Sequence, residues 1–438
     1  MTPGAMRALA VALACTCSMT ASAEPTSNAD AAALVSRDSG DLASLSGVWR
    51  SRGYGWLLAI DQGRIDFYDE SGKSCIKASN AAERLVALDS SFQVSDDERV
   101  LKLTLEDPSY QYTFDKIDAL PDACLAAADP SPGSVIDALG DIFSSHYAFF
   151  KSRKVNWAKL VGEAKKSVTA ETTNAELLEI VKSLISKFDD DHVSLHSELD
   201  GRKAVHNTGA GKSLKLMAEE SLRTGTDFNE LLERWKSGAM SKETEDNLFA
   251  GTLQKAANGN VRYGLIGGDI GYLAVNAMDD FADDGDDHDD DVEALDEALD
   301  RAMAMFNGAS AVIVDVSLND GGFDTIARRI AGRFAAERTL AYSKYAGDAK
   351  GDTPQAIYVE PSDRERFTGP VYLVTSDITV SAAEIFTMAM RALPNVTHLG
   401  GTTRGSLSDV LAKPLPNGWK VTLSNEVYLD AKGKAWEG

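Results

Sequence analysis

The stretch 371–405, VYLVTSDITVSAAEIFTMAMRALPNVTHLGGTTRG, decides the fold because it leads from a buried strand through a polar turn into an apolar helix. Its first four residues are typical of a buried strand, and residues 382–393 are typical of a helix with Glu384 in its first turn. Ser381 is therefore expected at the carboxyl end of a sheet, where open α/β sheets bind ligands, beside helix amides that stabilise negative charge. Serine is also a favoured helix N-cap, so Ser381 is predicted to be either a cap or a nucleophile.

The C-terminal part of the chain repeats this alternation of strand and helix. Strand patterns at 270–275 and 311–316 are followed by helix patterns at 291–305 and 323–336. Such alternation is typical of βαβ units around a mostly parallel sheet. The sequence therefore predicts an α/β core over residues 261–438.

The segments that precede this core are predicted from their periodicity and turn signals. Short strand patterns separated by polar turns indicate a small antiparallel β domain, and apolar residues at helical spacing indicate helices after it. The overall class is therefore α+β with an α/β core. The predicted order is a signal peptide (1–23), a linker (24–46), the β domain (47–125), a helical subdomain that carries His192 (134–210) and a helical connection (211–260).

The chain is long and acidic. It has 438 residues and a formal net charge of −23, which argues against nucleic acid and anionic membrane surfaces as partners. Much of the acidity lies in DDFADDGDDHDDD, residues 279–291. A calcium loop is one interpretation, but Ala282 occupies a ligand position of the EF-hand pattern, so a solvated loop is favoured. We therefore predict no metal and no cofactor.

The N-terminus is typical of an export signal. Arg7 precedes an apolar run, and a small-residue triplet ends at Ala23, which predicts cleavage there and a periplasmic or extracellular protein. Lipid attachment at Cys15 is a less favoured alternative, and no later stretch is apolar for long enough to span a bilayer. The mature chain would keep Cys75 and Cys124, which form either one disulfide or two buried thiols.

A second informative segment, AVIVDVSLNDGGF at 311–323, ends a strand in a glycine-rich loop. Gly321 and Gly322 permit positive φ and let backbone amides face a ligand. Acyl transfer needs two such donors at the developing oxyanion, and these glycines and the amide of Ala382 could supply them. The alternative is a plain Gly-Gly turn.

The third segment, FDDDHVSL at 188–195, offers a base. A serine nucleophile needs a base within hydrogen-bond reach, and the chain has only six histidines. His192 follows three aspartates at a predicted helix-to-strand transition, which is a suitable place for an oriented imidazole. The alternative is a surface histidine near acidic neighbours.

Six segments resemble the motifs of one serine peptidase family and follow one another in the same order. They are FDDDHV, IGYLAVNAM, VIVDVSLNDGG, TVSAAEIF, LGGTTRG and AWEG. That family includes the C-terminal processing (tail-specific) peptidases, the tricorn core and interphotoreceptor retinoid-binding protein. The resemblance runs from residue 135 to 438, leaves the β domain outside, and implies a ClpP/crotonase-like α/β core. It also implies that Ser381 is the nucleophile and that Gly321, Gly322 and Ala382 form the oxyanion hole.

The choice of base separates the branches of this family. The processing peptidases use a lysine in the segment that matches LGGTTRGS; this chain has Ser406 there and its next lysine at Lys413, so a Ser–Lys dyad is disfavoured. The tricorn-like branch uses a histidine and a C-terminal glutamate, and His192 and Glu437 occupy those places. Asp191 stands where tricorn has a serine that supports the histidine.

The resemblance implies an exported serine endopeptidase that hydrolyses peptides or unfolded proteins. Two departures favour an alternative, a catalytically inactive ligand- or peptide-binding protein on the same fold. These are Asp191 and Ser317, the latter standing where the family usually carries arginine. The sequence sets no oligomeric state.

Overall fold

The structure, a computed structural model, describes residues 45–62, 64–78, 90–105, 110–238, 242–282, 288–349 and 354–438. The predicted signal peptide and all but the last two residues of the predicted linker lie outside this set. The middle of the aspartate-rich run also lies outside it.

Along the described residues, strands come first, helices follow, and alternating strands and helices come last. The strands are β1 (Gly47–Ser51), β2 (Trp56–Asp61), β3 (Arg64–Ser71), β4 (Ser74–Lys77), β5 (Ser90–Val94), β6 (Val100–Leu105), β7 (Gln111–Ile117), β8 (Ser194–Leu199), β9 (Arg202–Asn207), β10 (Gln254–Ala256), β11 (Val261–Ile266), β12 (Ile270–Val275), β13 (Ala311–Asp315), β14 (Thr339–Ala346), β15 (Gln355–Val359), β16 (Val371–Thr375), β17 (Val396–Gly400), β18 (Val410–Pro414), β19 (Lys420–Ser424) and β20 (Glu426–Asp430). The helices are α1 (Asp122–Leu125), α2 (Pro132–His146), α3 (Trp157–Ser167), α4 (Asn174–Ile185), α5 (Lys212–Thr224), α6 (Phe228–Gly238), α7 (Lys242–Phe249), α8 (His288–Met305), α9 (Asp324–Gly332) and α10 (Ala382–Ala392).

The N-terminal strands form one antiparallel sheet in the order β4-β3-β2-β1-β7-β6-β5. Its apolar core includes the fully buried side chains of Trp49 and Phe114. A disulfide joins Cys75 in β4 to Cys124 in α1, so the sheet is tied covalently to the segment that leads into the helices.

Helices α2, α3 and α4 pack around a cluster of aromatic rings, among which Phe143 stacks on Phe188 at 4.9 Å between ring centres. Their core continues into a four-stranded sheet in the order β18-β19-β8-β9. Because β19 pairs with β8, strands from the C-terminal part of the chain complete the layer that follows α4.

The α/β core is built on a six-stranded sheet in the order β10-β11-β12-β13-β16-β17, in which the last four strands run parallel. Helices α8, α9 and α10 contribute buried side chains such as Leu299, Ile330 and Phe386 to its core. The parallel strands end at one edge, so the loops that follow β13 and β16 meet there. This architecture confirms the predicted fold class, an α/β core with helical and β parts. Within the described residues, no helix combines the length and the apolar character needed to cross a membrane.

Candidate active site

Ser381 occupies a strained turn between β16 and α10. Its backbone has φ 58° and ψ −129°, a combination that residues other than glycine rarely adopt. Its side chain caps none of the helix amides, in contrast to the alternative reading of Ser381 as an N-cap. Such a sharp strand-to-helix turn exposes a serine hydroxyl at the top of a sheet.

His192 lies against this hydroxyl. Its Nε2 is 3.1 Å from Ser381 Oγ, although the two residues are 189 positions apart in the chain. The ring is 8% exposed and follows α4 in the loop that leads to β8. The His192 amide donates to Asp190 Oδ1 at 3.0 Å, and its carbonyl accepts from Thr422 Oγ1 at 2.7 Å. Its Nδ1 is buried without a hydrogen-bond partner among the described residues.

The glycine loop after β13 faces the serine. A Cβ on Gly321 would lie 2.7 Å from Ser381 Cβ, so only glycine allows this approach. The Gly321 amide, however, donates to the side chain of Asn319 at 2.9 Å, which leaves it no oxyanion role in this arrangement. Within the described part of the chain, the amides of Gly322 and Ala382 have no acceptor, so they are the two donors available.

Glu437 reaches the site from the C-terminal segment. Its Oε2 accepts hydrogen bonds from the amides of Leu407 (2.7 Å) and Ser408 (3.1 Å). Its Oε1 lies 3.6 Å from the Arg153 guanidinium and, among the described residues, has no hydrogen-bond partner. Burial, with the nearby Asp190 carboxylate, raises the pKa of Glu437 well above its usual range.

Asp191 and Ser406 contact each other beside the histidine. Asp191 Oδ2 accepts from Ser406 Oγ at 3.2 Å and lies 2.5 Å from the Arg404 guanidinium. Burial raises the pKa of Asp191, and Arg404 opposes that rise. The contacts of this carboxylate are therefore with the loop that carries Arg404 and Ser406.

Further residues that the sequence analysis did not assign to the site hold the same loop. Arg153 donates to the carbonyls of Gly405 (2.5 Å) and Asp189 (2.8 Å) and to Ser406 Oγ (3.2 Å). Glu384 accepts from the amides of Gly405 (2.7 Å) and Ser406 (2.8 Å), and burial raises its pKa to about 7. The position of Glu384 in the first helical turn was visible in the sequence, whereas no pattern marks Arg153.

Lys413, the nearest lysine after Ser406 in sequence, lies elsewhere. Its Nζ is 3.1 Å from Asp69 Oδ1 and 3.1 Å from the Gly55 carbonyl, both in the N-terminal sheet. Both charged side chains are buried, so this ion pair fixes the N-terminal sheet to β18. The hydroxyl of Ser381 therefore contacts His192, while Lys413 binds residues of the N-terminal domain.

The described ends of the aspartate-rich run, residues 279–282 and 288–291, meet at Asp291 near the start of α8. Its carboxylate accepts the amides of Asp280, Phe281 and Ala282 at 2.8–2.9 Å. Among the described residues, which omit 283–287, no group of three or more His, Cys, Asp or Glu side chains could hold a metal ion.

Comparison with known proteins shows what the C-terminal part of the chain is similar to. Residues 269–438 match the model of peptidase family S41. A provisionally assigned peptidase from Parabacteroides merdae is 26% identical over 70% of this chain and 87% of its own, with a TM-score of 0.54. Mature CPAF bound to lactacystin is 10% identical over 70% and 91%, with a TM-score of 0.49. The photosystem II D1 C-terminal processing protease is 12% identical over 70% and 90%, with a TM-score of 0.41.

The family match confirms the resemblance inferred from the motifs, and with it the enzyme class, a serine-type peptidase. A protease acts on peptide bonds, so a peptide substrate follows from the class. The matched residues contain Ser381, Gly321 and Glu437 but begin after His192, whose assignment rests on the motif order and on its position in the structure.

Proposed function

We propose that the chain is an exported serine endopeptidase in which Ser381 is the nucleophile and His192 the general base. The observation that carries this proposal is the 3.1 Å contact between Ser381 Oγ and His192 Nε2. A contact of this length is within reach of direct proton transfer. The strained backbone of Ser381 supports the same role, because such strain concentrates at functional positions.

In the proposed reaction, His192 Nε2 takes the hydroxyl proton while Ser381 Oγ bonds to the peptide carbonyl carbon. The carbonyl oxygen becomes an oxyanion and accepts hydrogen bonds from the amides of Gly322 and Ala382 at the start of α10. Collapse breaks the peptide C–N bond, and the imidazolium gives its proton to the leaving amine. A water molecule, deprotonated by His192, then hydrolyses the acyl-enzyme and restores Ser381.

The segment that carries His192 is held by Asp190, whose Oδ1 accepts a hydrogen bond from the His192 amide at 3.0 Å. We propose that Glu437 Oε1 and His192 Nδ1, two buried atoms without a hydrogen-bond partner among the described residues, approach each other when substrate binds. Catalytic hydrogen bonds are often long before substrate binds.

Export is proposed from the signal pattern that ends at Ala23 and is supported by the Cys75–Cys124 disulfide, because disulfides persist in oxidising compartments. We expect the intact mass of protein recovered from a bacterial periplasm to correspond to a chain that begins at Glu24. A mass that includes the first 23 residues would contradict cleavage there.

The decisive experiment is cleavage of reduced, unfolded casein by the purified chain. We expect Ser381→Ala and His192→Ala to lose cleavage, while Ser310→Ala, at an exposed serine that precedes β13 at the end opposite the glycine loop, cleaves like wild type. Cleavage by Ser381→Ala at the wild-type rate would refute the assignment of the nucleophile.

The alternative is an inactive peptide- or ligand-binding protein. It is favoured because His192 Nδ1 has no hydrogen-bond partner among the described residues, whereas a triad needs that atom oriented. A fluorophosphonate probe separates the two, since only an activated serine becomes covalently labelled. Labelling of wild type and none of Ser381→Ala supports the peptidase. Absence of labelling at Ser381 supports the binding protein.

A further inference from the structure

The tip of the β1–β2 hairpin has an unusual backbone. Gly53, Tyr54 and Gly55 follow one another with φ values of 78°, 65° and 62°. Positive φ is common for glycine but costs energy for tyrosine, and such strain persists only where surrounding contacts impose it. A Cβ on Gly55 would lie 2.2 Å from the Glu70 carbonyl, so the turn is tightly held from behind. This turn directs the side chain of Tyr54 toward Glu426 in β20.

Tyr54 bridges the N-terminal sheet and the catalytic core. Its ring stacks on Trp56 with 4.8 Å between ring centres, and its hydroxyl donates to Glu426 Oε1 at 2.5 Å. The other oxygen of Glu426 accepts from Lys344 Nζ at 3.0 Å. The side chains of Glu426 and Lys344 are 1% and 4% exposed, so this contact is not a solvated surface pair.

From Glu426 the hydrogen bonds continue to the site. The Glu426 amide donates to Ser408 Oγ at 3.0 Å, and the Ser408 amide donates to Glu437 Oε2 at 3.1 Å. Tyr54 is therefore connected to the carboxylate of Glu437 through only two intervening residues.

Two other contacts fix the N-terminal sheet beside this path. Lys413 Nζ binds the Gly55 carbonyl and the Asp69 carboxylate, both at 3.1 Å. Lys344 Nζ lies 4.0 Å from the ring centre of Tyr110, in the segment before β7. Separating a buried charge from its partner strongly destabilises the folded protein, so these contacts hold the sheet in one orientation.

We propose that the N-terminal β domain is a working part of the peptidase site, with Tyr54 as a positioning residue that holds Glu437 through Glu426 and Ser408. This deepens the proposed function and rests on it for the role of Glu437. The domain lies outside residues 269–438, the part that matches the peptidase family, so this support is supplied by a region that the family match does not include.

The test compares wild type with Tyr54→Phe, which removes only the hydroxyl and keeps the ring packing. Tyr68→Phe is the matched control, because Tyr68 is a buried tyrosine of the same sheet that packs beside the disulfide. Hydrogen exchange of the Leu407 and Ser408 amides is measured in the full chain by mass spectrometry. We expect roughly tenfold faster exchange in Tyr54→Phe and wild-type exchange in Tyr68→Phe.

Casein cleavage is measured on the same variants. We expect kcat to fall roughly tenfold in Tyr54→Phe with KM unchanged, since Tyr54 positions the base system and does not touch substrate. Unchanged exchange, or faster exchange with unchanged kcat, would overturn the proposal. If wild type itself cuts nothing, the peptidase assignment fails, and the exchange measurement still decides whether Tyr54 holds the Glu437 contacts.

Discussion

At the scale of single residues, the backbone conformation of Ser381 leads to a prediction about stability that does not depend on activity. Both Ser381→Gly and Ser381→Ala remove the proposed nucleophile, but only glycine adopts φ 58° and ψ −129° without strain. We expect the glycine variant to be more stable than the alanine variant by about 1 kcal/mol, as urea unfolding would measure. An alanine variant of equal or greater stability would mean that the turn is unstrained.

The raised pKa of Glu384 leads to a prediction about how the free energy of unfolding depends on pH. Its pKa of about 7 in the folded chain lies above 4.5, the value for an unperturbed glutamate. The folded state therefore holds this proton at pH values where the unfolded state has lost it, so its contribution to stability is present below pH 4.5 and is lost as pH rises to about 7. The loss should be about 3 kcal/mol.

Glu384→Gln removes this titration. We expect the free energy of unfolding of wild type to fall relative to that of the variant between pH 4.5 and 7, in urea titrations at a series of pH values. Parallel pH profiles for the two proteins would show that Glu384 does not titrate in this window.

Sequence reasoning at this scale found side chains that sit in ordered motifs and missed those that act from outside them. Ser381 and His192 stand in motifs, and the structure places them in contact. Asn319 also stands in a motif, but its hydrogen bond to the Gly321 amide depends on how one loop folds back on itself. Arg153 reaches the loop of Gly405 from 252 positions away, and no local pattern encodes such a contact.

At the scale of elements, the loop from Arg404 to Ser408 organises the site. Its carbonyls and amides contact Ser381, Glu384 and Glu437 through separate hydrogen bonds. A loop held from several sides at once keeps little freedom, which is what a preorganised site requires.

Arg153→Lys tests how that loop is held. The guanidinium spans the carbonyls of Asp189 and Gly405 and the Ser406 hydroxyl, and a lysine ammonium cannot span all three. We expect kcat/KM for casein to fall about tenfold or more. Arg223→Lys, at an exposed arginine of α5 that pairs with Glu220, is the control and should cleave like wild type. Equal rates for both variants would remove Arg153 from the positioning network.

Element positions were predictable wherever periodicity is local. The helix predicted at 382–393 is α10, and the strand predicted at 311–316 is β13. The pairing of β8 with β19 could not be predicted, because it joins Ser194 to Thr422 and depends on the packing of the whole core. Local alternation indicates a strand but does not name its neighbour.

At the scale of the whole molecule, the disulfide should matter for activity as well as for stability. Cys75 and Cys124 close a loop with a sequence separation of 49. The closed loop lowers the conformational entropy of the unfolded chain, which should stabilise the folded state by about 4 kcal/mol. We expect the double variant Cys75→Ala/Cys124→Ala to lose casein cleavage at a lower temperature than wild type. Dithiothreitol should shift wild type in the same direction and leave the variant unaffected. No shift in either case would mean that the β domain is held by its other contacts alone.

The late position of Glu437 in the chain has a consequence during protein synthesis. Translation makes His192 first and Ser381 189 residues later, and both precede the glutamate. The amides of Leu407 and Ser408 meet their carboxylate only when Glu437 has left the ribosome. With Glu437 in its proposed role, a nascent polypeptide that has not yet reached this residue lacks a complete catalytic group, so cleavage begins only after residue 437 has been made.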